Sequence, residues 1–262
     1  MSNLNKEEIL FYLYFIFILI GKSIGLGANN FILRIITIMA FIFLLIKLTI
    51  TKYTRREIII IAILIIIGMF TFYISKRAGV LLSILTIIGM KNIEYKKLFS
   101  LSLNIKVIIY FTIIFSSLIG MIPNKQYVHW RDGIGYITRY SLGYNHPNLL
   151  HSNKFIIVVL FIYLNYKKLN IINCSIILAV NFFIYNFSLS RTGFYSIIMI
   201  VIVSYILSRI KKHINYSIFK YIMPISVIFT FVTAKLYNQY EILYKLDNIL
   251  TGRIFVSFLK LI

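Results

Sequence analysis

The stretch IIIIAILIIIGMFTFYIS, residues 58–75, decides the fold because it is uncharged and long enough to cross a bilayer. As a helix it would extend about 27 Å, close to the roughly 30 Å of a hydrocarbon core. The whole chain of 262 residues has the same character, with 60% hydrophobic and 13% charged residues. Such values lie far outside those of a soluble globular domain, so the sequence predicts a polytopic membrane protein.

Apolar runs of similar character recur along the chain. They lie near residues 9–26, 31–50, 57–75, 78–90, 105–122, 148–165, 171–187, 194–210 and 218–234. These runs predict an all-α polytopic membrane protein with about nine transmembrane helices, in which residues 1–262 form a single integral membrane domain. The fourth run is short, so the third and fourth form either two crossings or a re-entrant pair. The first run lacks a small-residue cleavage site and is expected to stay in the mature protein.

The basic residues lie mostly at the ends of the predicted helices. In a soluble protein the net charge of +21 would indicate nucleic acid, but membrane topology explains it better here, and no nucleic-acid partner is expected. With the N-terminus in the cytoplasm, twelve lysines and three arginines fall inside, which is 15 of the 28 basic residues. The positive-inside rule therefore favours a multi-pass protein of the cell membrane with a cytoplasmic N-terminus.

Arginine and lysine are distributed differently between the two sides. Six of nine arginines fall outside, whereas twelve of 19 lysines fall inside. The external arginines are Arg34, Arg77, Arg131, Arg139, Arg191 and Arg253. Because a planar guanidinium pairs with phosphate oxygens through two hydrogen bonds, this bias indicates a phosphate-bearing ligand outside, unless it is a fluctuation of small numbers.

The longest polar interruption, residues 123–147, separates the fifth and sixth runs and is predicted to be an external loop. Pro147 suits the first turn of the sixth helix, with Asn145 or His146 as its N-cap and Asn148 just inside it. The positive end of the helix dipole would then face the external surface beside the arginines. That arrangement favours an anion.

A second helix start repeats this arrangement. Ser190 is a candidate N-cap of the eighth helix, and Arg191 would lie at the same external face as Arg139. Two helix N-termini, each with an arginine, would then converge on one side of the membrane.

Histidine is the other candidate for chemistry at this face. The ordinary pKa of about 6.5 would suit His146 as a general base, but a histidine that only caps the helix is an equally good interpretation. The spacing of His129, His146 and His151 fits no familiar metal signature, so neither a metal nor a cofactor is expected. Asp132 is interpreted as a local ion pair with Arg131.

The interiors of the predicted helices look almost free of charge. Lys106 lies near the start of the fifth run and is expected to snorkel to the interface. A transporter would place ionisable groups near the membrane midplane, so this distribution favours chemistry at the surface over transport.

Three short segments together resemble a known family. They are Arg139-Tyr-Ser-Leu-Gly-Tyr-Asn-His-Pro-Asn148, Leu189-Ser-Arg-Thr-Gly-Phe194 and Leu250-Thr-Gly-Arg-Ile254. In order and spacing they resemble motifs of the Wzy-type capsular and O-antigen polysaccharide polymerases, relatives of the O-antigen ligases. The first segment is the most distinctive of the three.

The resemblance implies an inverting, metal-independent glycosyltransferase at the outer face of the cytoplasmic membrane. Its substrates would be undecaprenyl-pyrophosphate-linked oligosaccharides, joined into capsular, exo- or O-antigen polysaccharide. Position by position, Arg139, Arg191 and Arg253 would hold the pyrophosphate and stabilise it as the leaving group. Membrane lipids, a chain-length regulator and a flippase of the same pathway would be the further partners.

The chain departs from the family pattern after the third motif. Family members continue with a further external loop and more helices, and related ligases carry a base-like histidine there, whereas this sequence stops at Ile262. We expect the chain to be the N-terminal part of a longer polymerase, and inactive alone if truncated; otherwise His146 supplies the base. A flippase or other transporter of lipid-linked oligosaccharides and a ligase of the O-antigen type are the alternative functions.

Overall fold

The computed structural model describes residues 5–25, 30–76, 78–131, 135–210, 221–249 and 253–259. The chain divides into two compact units, Met1–Arg209 and Ile210–Ile262.

The first unit contains eight helices among its described residues. They are α1 Lys6–Ser23, α2 Phe31–Ile50, α3 Arg55–Ser75, α4 Gly79–Gly89, α5 Tyr95–Leu118, α6 Pro147–Asn165, α7 Ile171–Ser188 and α8 Arg191–Arg209, with a short 3-10 turn at Tyr166–Lys168. Strands β1 Gln126–Arg131 and β2 Gly135–Tyr140 lie between α5 and α6.

The chain is a multi-pass membrane protein of mainly α-helical structure. Among the described residues, six helices are long and apolar enough to cross a membrane, namely α2, α3, α5, α6 with its 3-10 turn, α7 and α8. The helix α4 has 11 residues and extends only about 17 Å, which is less than the thickness of a hydrocarbon core. The figure of about nine crossings therefore stays a prediction.

Local sequence explains where the helices begin. Thr54 caps α3: its hydroxyl accepts from the N–H of Glu57 at 3.4 Å, and the Glu57 carboxylate accepts from the N–H of Thr54 at 2.7 Å. Asn30 caps α2 in a similar way, since its side chain accepts from the N–H groups of Ile32 and Leu33. These polar caps stand directly before long apolar runs and set the boundaries of the helices.

Side-chain contacts join several helix ends at one end of this unit. Glu7 at the start of α1 accepts hydrogen bonds from Thr51, after α2, and from Asn92, after α4. Lys91 pairs with Glu57 of α3 at 2.6 Å. We call this the lysine end; the start of α5 and the ends of α6 and α8 also lie here. The opposite end, where β1, β2 and the starts of α6 and α8 lie, is the hairpin end.

The second unit is small. Its described helices are α9 Ile222–Lys235, α10 Glu241–Ile249 and α11 Arg253–Leu259. Asp247 of α10 accepts from the hydroxyl of Tyr237 at 3.1 Å and from the N–H of Ile254 at 2.7 Å, which fixes the start of α11 against α10. Tyr237, Leu243 and Ile254 form the apolar core of this unit.

Candidate functional site

The predicted external loop contains a β-hairpin, which the hydropathy pattern did not indicate. The strands pair antiparallel, with Tyr127 opposite Arg139 and Trp130 opposite Tyr136. Alternating aromatic and β-branched residues favour this structure. The turn residues 132–134, and with them the predicted ion pair of Asp132, lie outside the described part of the chain.

Arg139 connects the hairpin to two other elements. Its Nε–H donates to the carbonyl of Ser188 at 2.8 Å, and its terminal NH₂ donates to Oδ1 of Asn148 at 2.6 Å. The same oxygen of Asn148 accepts from the hydroxyl of Ser190 at 3.3 Å. Two sequence segments that are about 40 residues apart, around Asn148 and around Ser190, therefore meet at one guanidinium.

Arg131 reinforces the same junction. It donates to the carbonyl of Leu189 at 3.0 Å, next to the carbonyl that Arg139 contacts. Leu189 has a φ of 45° and ends α7 in the left-handed region, so both carbonyls are free of the helix and need other donors. Each guanidinium has five N–H donors, so both arginines retain donors for a ligand after capping α7.

Burial and mutual repulsion act on these arginines. The pKa of Arg139 is lowered by desolvation and, to a smaller extent, by the charge of Arg131. The two ion pairs found among the described residues, Lys91–Glu57 and Lys97–Glu94, both lie at the lysine end. The described hydrogen bonds of Lys125, Arg131 and Arg139 at the hairpin end all go to neutral acceptors, so these cations keep their attraction for an anion.

His146 is the N-cap of α6, and Pro147 follows in its first turn. The imidazole Nδ1 accepts from the N–H of Asn148 at 3.1 Å. Burial lowers the pKa of His146 and the charge of Arg139 lowers it further, so the ring is neutral near pH 7 with its proton on Nε2. In this arrangement a base role requires Asn148 to release Nδ1.

Asn145 holds this loop to its neighbours. Its side-chain N–H donates to the carbonyl of Gly25 at 2.7 Å, and its oxygen accepts from Lys125 at 3.0 Å. The preceding residue, Tyr144, packs over Gly25, and burial raises the pKa of its phenol. The start of α6 is thus fixed to the end of α1.

A layer of buried polar groups lies below Arg139, between α6, α7 and α8. Nδ1 of His151 and the hydroxyl of Ser188 are 2.8 Å apart. One to two turns deeper, the amine of Lys154 donates to Oδ1 of Asn181 at 3.2 Å, and Asn181 donates to the carbonyl of Phe194 at 3.1 Å. Lys154 is 3% exposed although it lies inside a membrane helix, about 10 Å from the start of α6.

Gly193 lets α8 approach this layer. A methyl group at Gly193 would come within 2.7 Å of Cβ of His151, which is too close for any side chain. Close packing against His151 therefore explains why the Leu189–Phe194 segment has a glycine at position 193. It brings the carbonyl of Phe194 within reach of Asn181.

Lys106 corrects an expectation drawn from the sequence. The helix α5 begins at Tyr95 and not near residue 105, so Lys106 is its twelfth residue and cannot snorkel from a helix start. It is 8% exposed and donates to the hydroxyl of Ser23 and to Oδ1 of Asn153, both at 3.2 Å. The prediction that the helix interiors are almost free of charge was therefore wrong for Lys106 and Lys154.

Arg191 and Arg253 are the two other arginines that were predicted for the site. Arg191 is the first residue of α8 and is exposed, and within the described structure its guanidinium makes no hydrogen bond. Arg253 is the first residue of α11, in the second unit, and its side chain lies outside what the structure describes. No group of three metal-ligating side chains occurs among the described residues.

Sequence reasoning missed the deeper layer because it treated α6 as a plain apolar run. A signal was present: His151 and Lys154 are three residues apart on one helix face, and Asn181 lies in the middle of another apolar run. Ionisable residues inside a membrane helix are rare, and they usually face the protein interior and mark a functional site.

Comparison with known proteins adds no relative: no protein-family model, no curated protein and no solved structure matches the chain.

Proposed function

We propose that this chain polymerises lipid-linked oligosaccharide repeat units at the outer face of the cytoplasmic membrane. The observation that carries the proposal is the junction at Arg139, where the segment Arg139–Asn148 and the segment Leu189–Phe194 come into hydrogen-bonding contact. These are two of the three segments in which the chain resembles the Wzy-type polymerases. Among the described residues, the arginines of this junction have no carboxylate partner, so a bound anion would balance their charge.

The chemistry proposed for the junction is pyrophosphate binding. Arg139 and Arg131 offer planar guanidinium donors beside the N-terminus of α6, and both kinds of donor stabilise phosphate oxygens. In the transfer, an acceptor hydroxyl oxygen forms a bond to the anomeric carbon while the bond from that carbon to the pyrophosphate oxygen breaks. The released pyrophosphate gains negative charge, so fixed cations lower the barrier.

The proton of the acceptor hydroxyl must go to a base. His146 remains the candidate within this chain, provided that its Nδ1 is released from the backbone of Asn148. Arg191 and Arg253 are proposed as further pyrophosphate ligands from the resemblance alone. A ligase, which would move the same glycan to another acceptor, shares this chemistry and differs only in its product.

A transporter or flippase for lipid-linked oligosaccharides is the second candidate. It is favoured by Lys106 and Lys154, because transporters place ionisable groups inside their membrane helices. The two candidates differ in what accumulates when the site is damaged. A damaged polymerase leaves single repeat units at the outer leaflet, whereas a damaged flippase leaves them at the inner leaflet.

The test replaces the natural gene with an Arg139→Lys variant in the organism that carries it. Lysine keeps the charge but cannot bridge Ser188 and Asn148 through a planar fork. We expect long polysaccharide to disappear and single lipid-linked units to accumulate at the outer leaflet. The matched control is Arg34→Lys, because Arg34 is exposed in the first turn of α2, at the same end, and its side chain forms no hydrogen bond or ion pair with a described residue. Normal polymer length in the Arg139→Lys strain would refute the proposal.

A further inference from the structure

A pocket of about 780 Å³ lies at the lysine end, far from Arg139. It is formed by the start of α5, the end of α6 with the 3-10 turn, and α8. Three lysines line its rim, Lys96, Lys167 and Lys168, and the apolar side chains of Val159, Ile162 and Ile200 line its wall. The size suits the headgroup and upper chain of one lipid molecule.

The three rim lysines carry charge that the protein does not balance. All are exposed, and within the described part of the chain none of them forms an ion pair or a hydrogen bond. Glu94, two residues before Lys96, is already paired with Lys97 at 2.7 Å. The rim therefore has three uncompensated positive charges.

The backbone around the pocket is well supported. Arg209, at the end of α8, donates to the carbonyl of Leu169 at 3.2 Å and lies 5.2 Å from the ring centroid of Tyr205. Phe99 and Tyr163 stack edge to face at 5.1 Å across α5 and α6. The pocket is thus held between three helices whose ends are fixed by contacts that do not involve the rim lysines.

The pocket lies where the membrane helices end. Its lysines are at the helix ends, and its apolar wall continues into α6 and α8. The charged rim therefore lies where a phospholipid has its headgroup, and the apolar wall lies where it has its acyl chain. Tyr163 is exposed and lies at the same level, as tyrosines at a membrane interface commonly do. An apolar wall of this kind would be unfavourable for a soluble anion.

We propose that this pocket binds an anionic phospholipid, with its phosphate among Lys96, Lys167 and Lys168 and an acyl chain along Val159 and Ile200. Basic pockets between membrane helices recognise such headgroups through charge. By the positive-inside rule the lipid would belong to the cytoplasmic leaflet. This site is independent of the proposed function at the hairpin end.

General attraction of basic helix ends to an anionic leaflet is the competing explanation. The lysine end offers a matched comparison, because Lys6, Lys52 and Arg55 carry the same total charge there but line no part of this pocket. If the pocket is a specific site, lipid affinity depends on where the positive charges lie. If the attraction is general, lipid affinity depends only on how many positive charges there are.

The experiment measures lipid binding to the purified protein by native mass spectrometry. Dioleoyl phosphatidylglycerol and dioleoyl phosphatidylcholine are titrated into the detergent-solubilised chain. The variant Lys96→Gln/Lys167→Gln/Lys168→Gln is compared with the control Lys6→Gln/Lys52→Gln/Arg55→Gln. We expect one tightly held phosphatidylglycerol in the wild type and at least about tenfold weaker binding in the pocket variant, with little change in the control.

Two further measurements keep the result interpretable. An unchanged melting temperature in lipid-free detergent shows that the pocket variant is folded, and the single variant Lys168→Glu replaces it if it is not. An excess of inorganic phosphate should leave the phosphatidylglycerol in place, because the apolar wall contributes to binding. Equal affinity for the two lipids, equal losses in the pocket and control variants, or displacement by phosphate would each overturn the proposal.

Discussion

Replacing Lys154 by methionine separates a functional role from a structural one. In either protonation state this amine has at least one N–H without a partner among the described residues, because only Oδ1 of Asn181 accepts from it. Methionine has a similar length and volume but no donor. The variant therefore removes the amine while keeping most of the packing between α6 and α7.

The free-energy contributions to folding favour a variant that is as stable as the wild type or more stable. The lost hydrogen bond contributes about 1.5–3 kcal/mol if the lysine is charged, and leaving the Asn181 oxygen unpaired costs about 1–3 kcal/mol. Burying the ammonium of Lys154 costs several kcal/mol of desolvation, and methionine removes that cost. Exchanging buried charges for well-packed apolar groups is often neutral or stabilising by about 1–4 kcal/mol, so we expect the melting temperature of Lys154→Met to stay level or rise.

The assay pairs the melting temperature in detergent with polymer length in cells. If Lys154 supports an anion site, the melting temperature is maintained while polymer is lost. The double variant Lys154→Met/Asn181→Leu controls for the unpaired amide and should be at least as stable as the single variant. A fall in melting temperature and in activity together, with both recovered in the double variant, would refute the functional role.

Three further predictions concern the cap at His146, the two other predicted arginines and the orientation of the chain. Burial holds the pKa of His146 below its ordinary value of about 6.5, so its cap is intact at neutral pH and is lost as the pH falls through that lowered pKa. His146→Asn should keep the cap and remove this acid sensitivity from thermal melts. His146→Ala should cost about 0.5–2 kcal/mol at neutral pH, and less as the pH falls and the wild type loses its own cap. If His146 is also the base, His146→Asn abolishes polymer despite normal stability, and unchanged polymer excludes that role. Arg191→Lys and Arg253→Lys should each abolish long polymer, and normal chain lengths in both would remove them from the pyrophosphate site. Reporter fusions after residues 140 and 212 should lie on opposite sides of the membrane; signals from the same side would break the proposed orientation.

The helices could be predicted because the hydropathy of a segment depends only on the residues of that segment. The run at 31–50 matches α2, and the prolines and polar caps gave the starts of later helices, as at Pro147. The start of α5 was predicted about ten residues late. Its first three turns, from Tyr95, contain Lys96 and Lys97 and the polar residues Ser100, Ser102 and Asn104, so an apolar-run criterion does not recognise them.

The candidate site was only partly predictable. The polar segment Arg139–Asn148 was visible in the sequence, but its contact with Ser188 depends on a hairpin whose strands are short and whose apolar faces are weak signals. The pairing of Lys154 with Asn181 depends on the packing of α6 against α7, which no single run of sequence encodes. Long-range contacts between polar side chains thus required the structure.

The proposed function requires the hairpin end to bind a lipid pyrophosphate through Arg139. The most direct measurement is the affinity of the purified protein for farnesyl pyrophosphate, compared with farnesol, in the wild type and in Arg139→Lys and Arg34→Lys. We expect the wild type to prefer the pyrophosphate, Arg139→Lys to lose about tenfold or more of this affinity, and Arg34→Lys to keep it. Equal binding of the two ligands, or equal affinity in Arg139→Lys and the wild type, would contradict it.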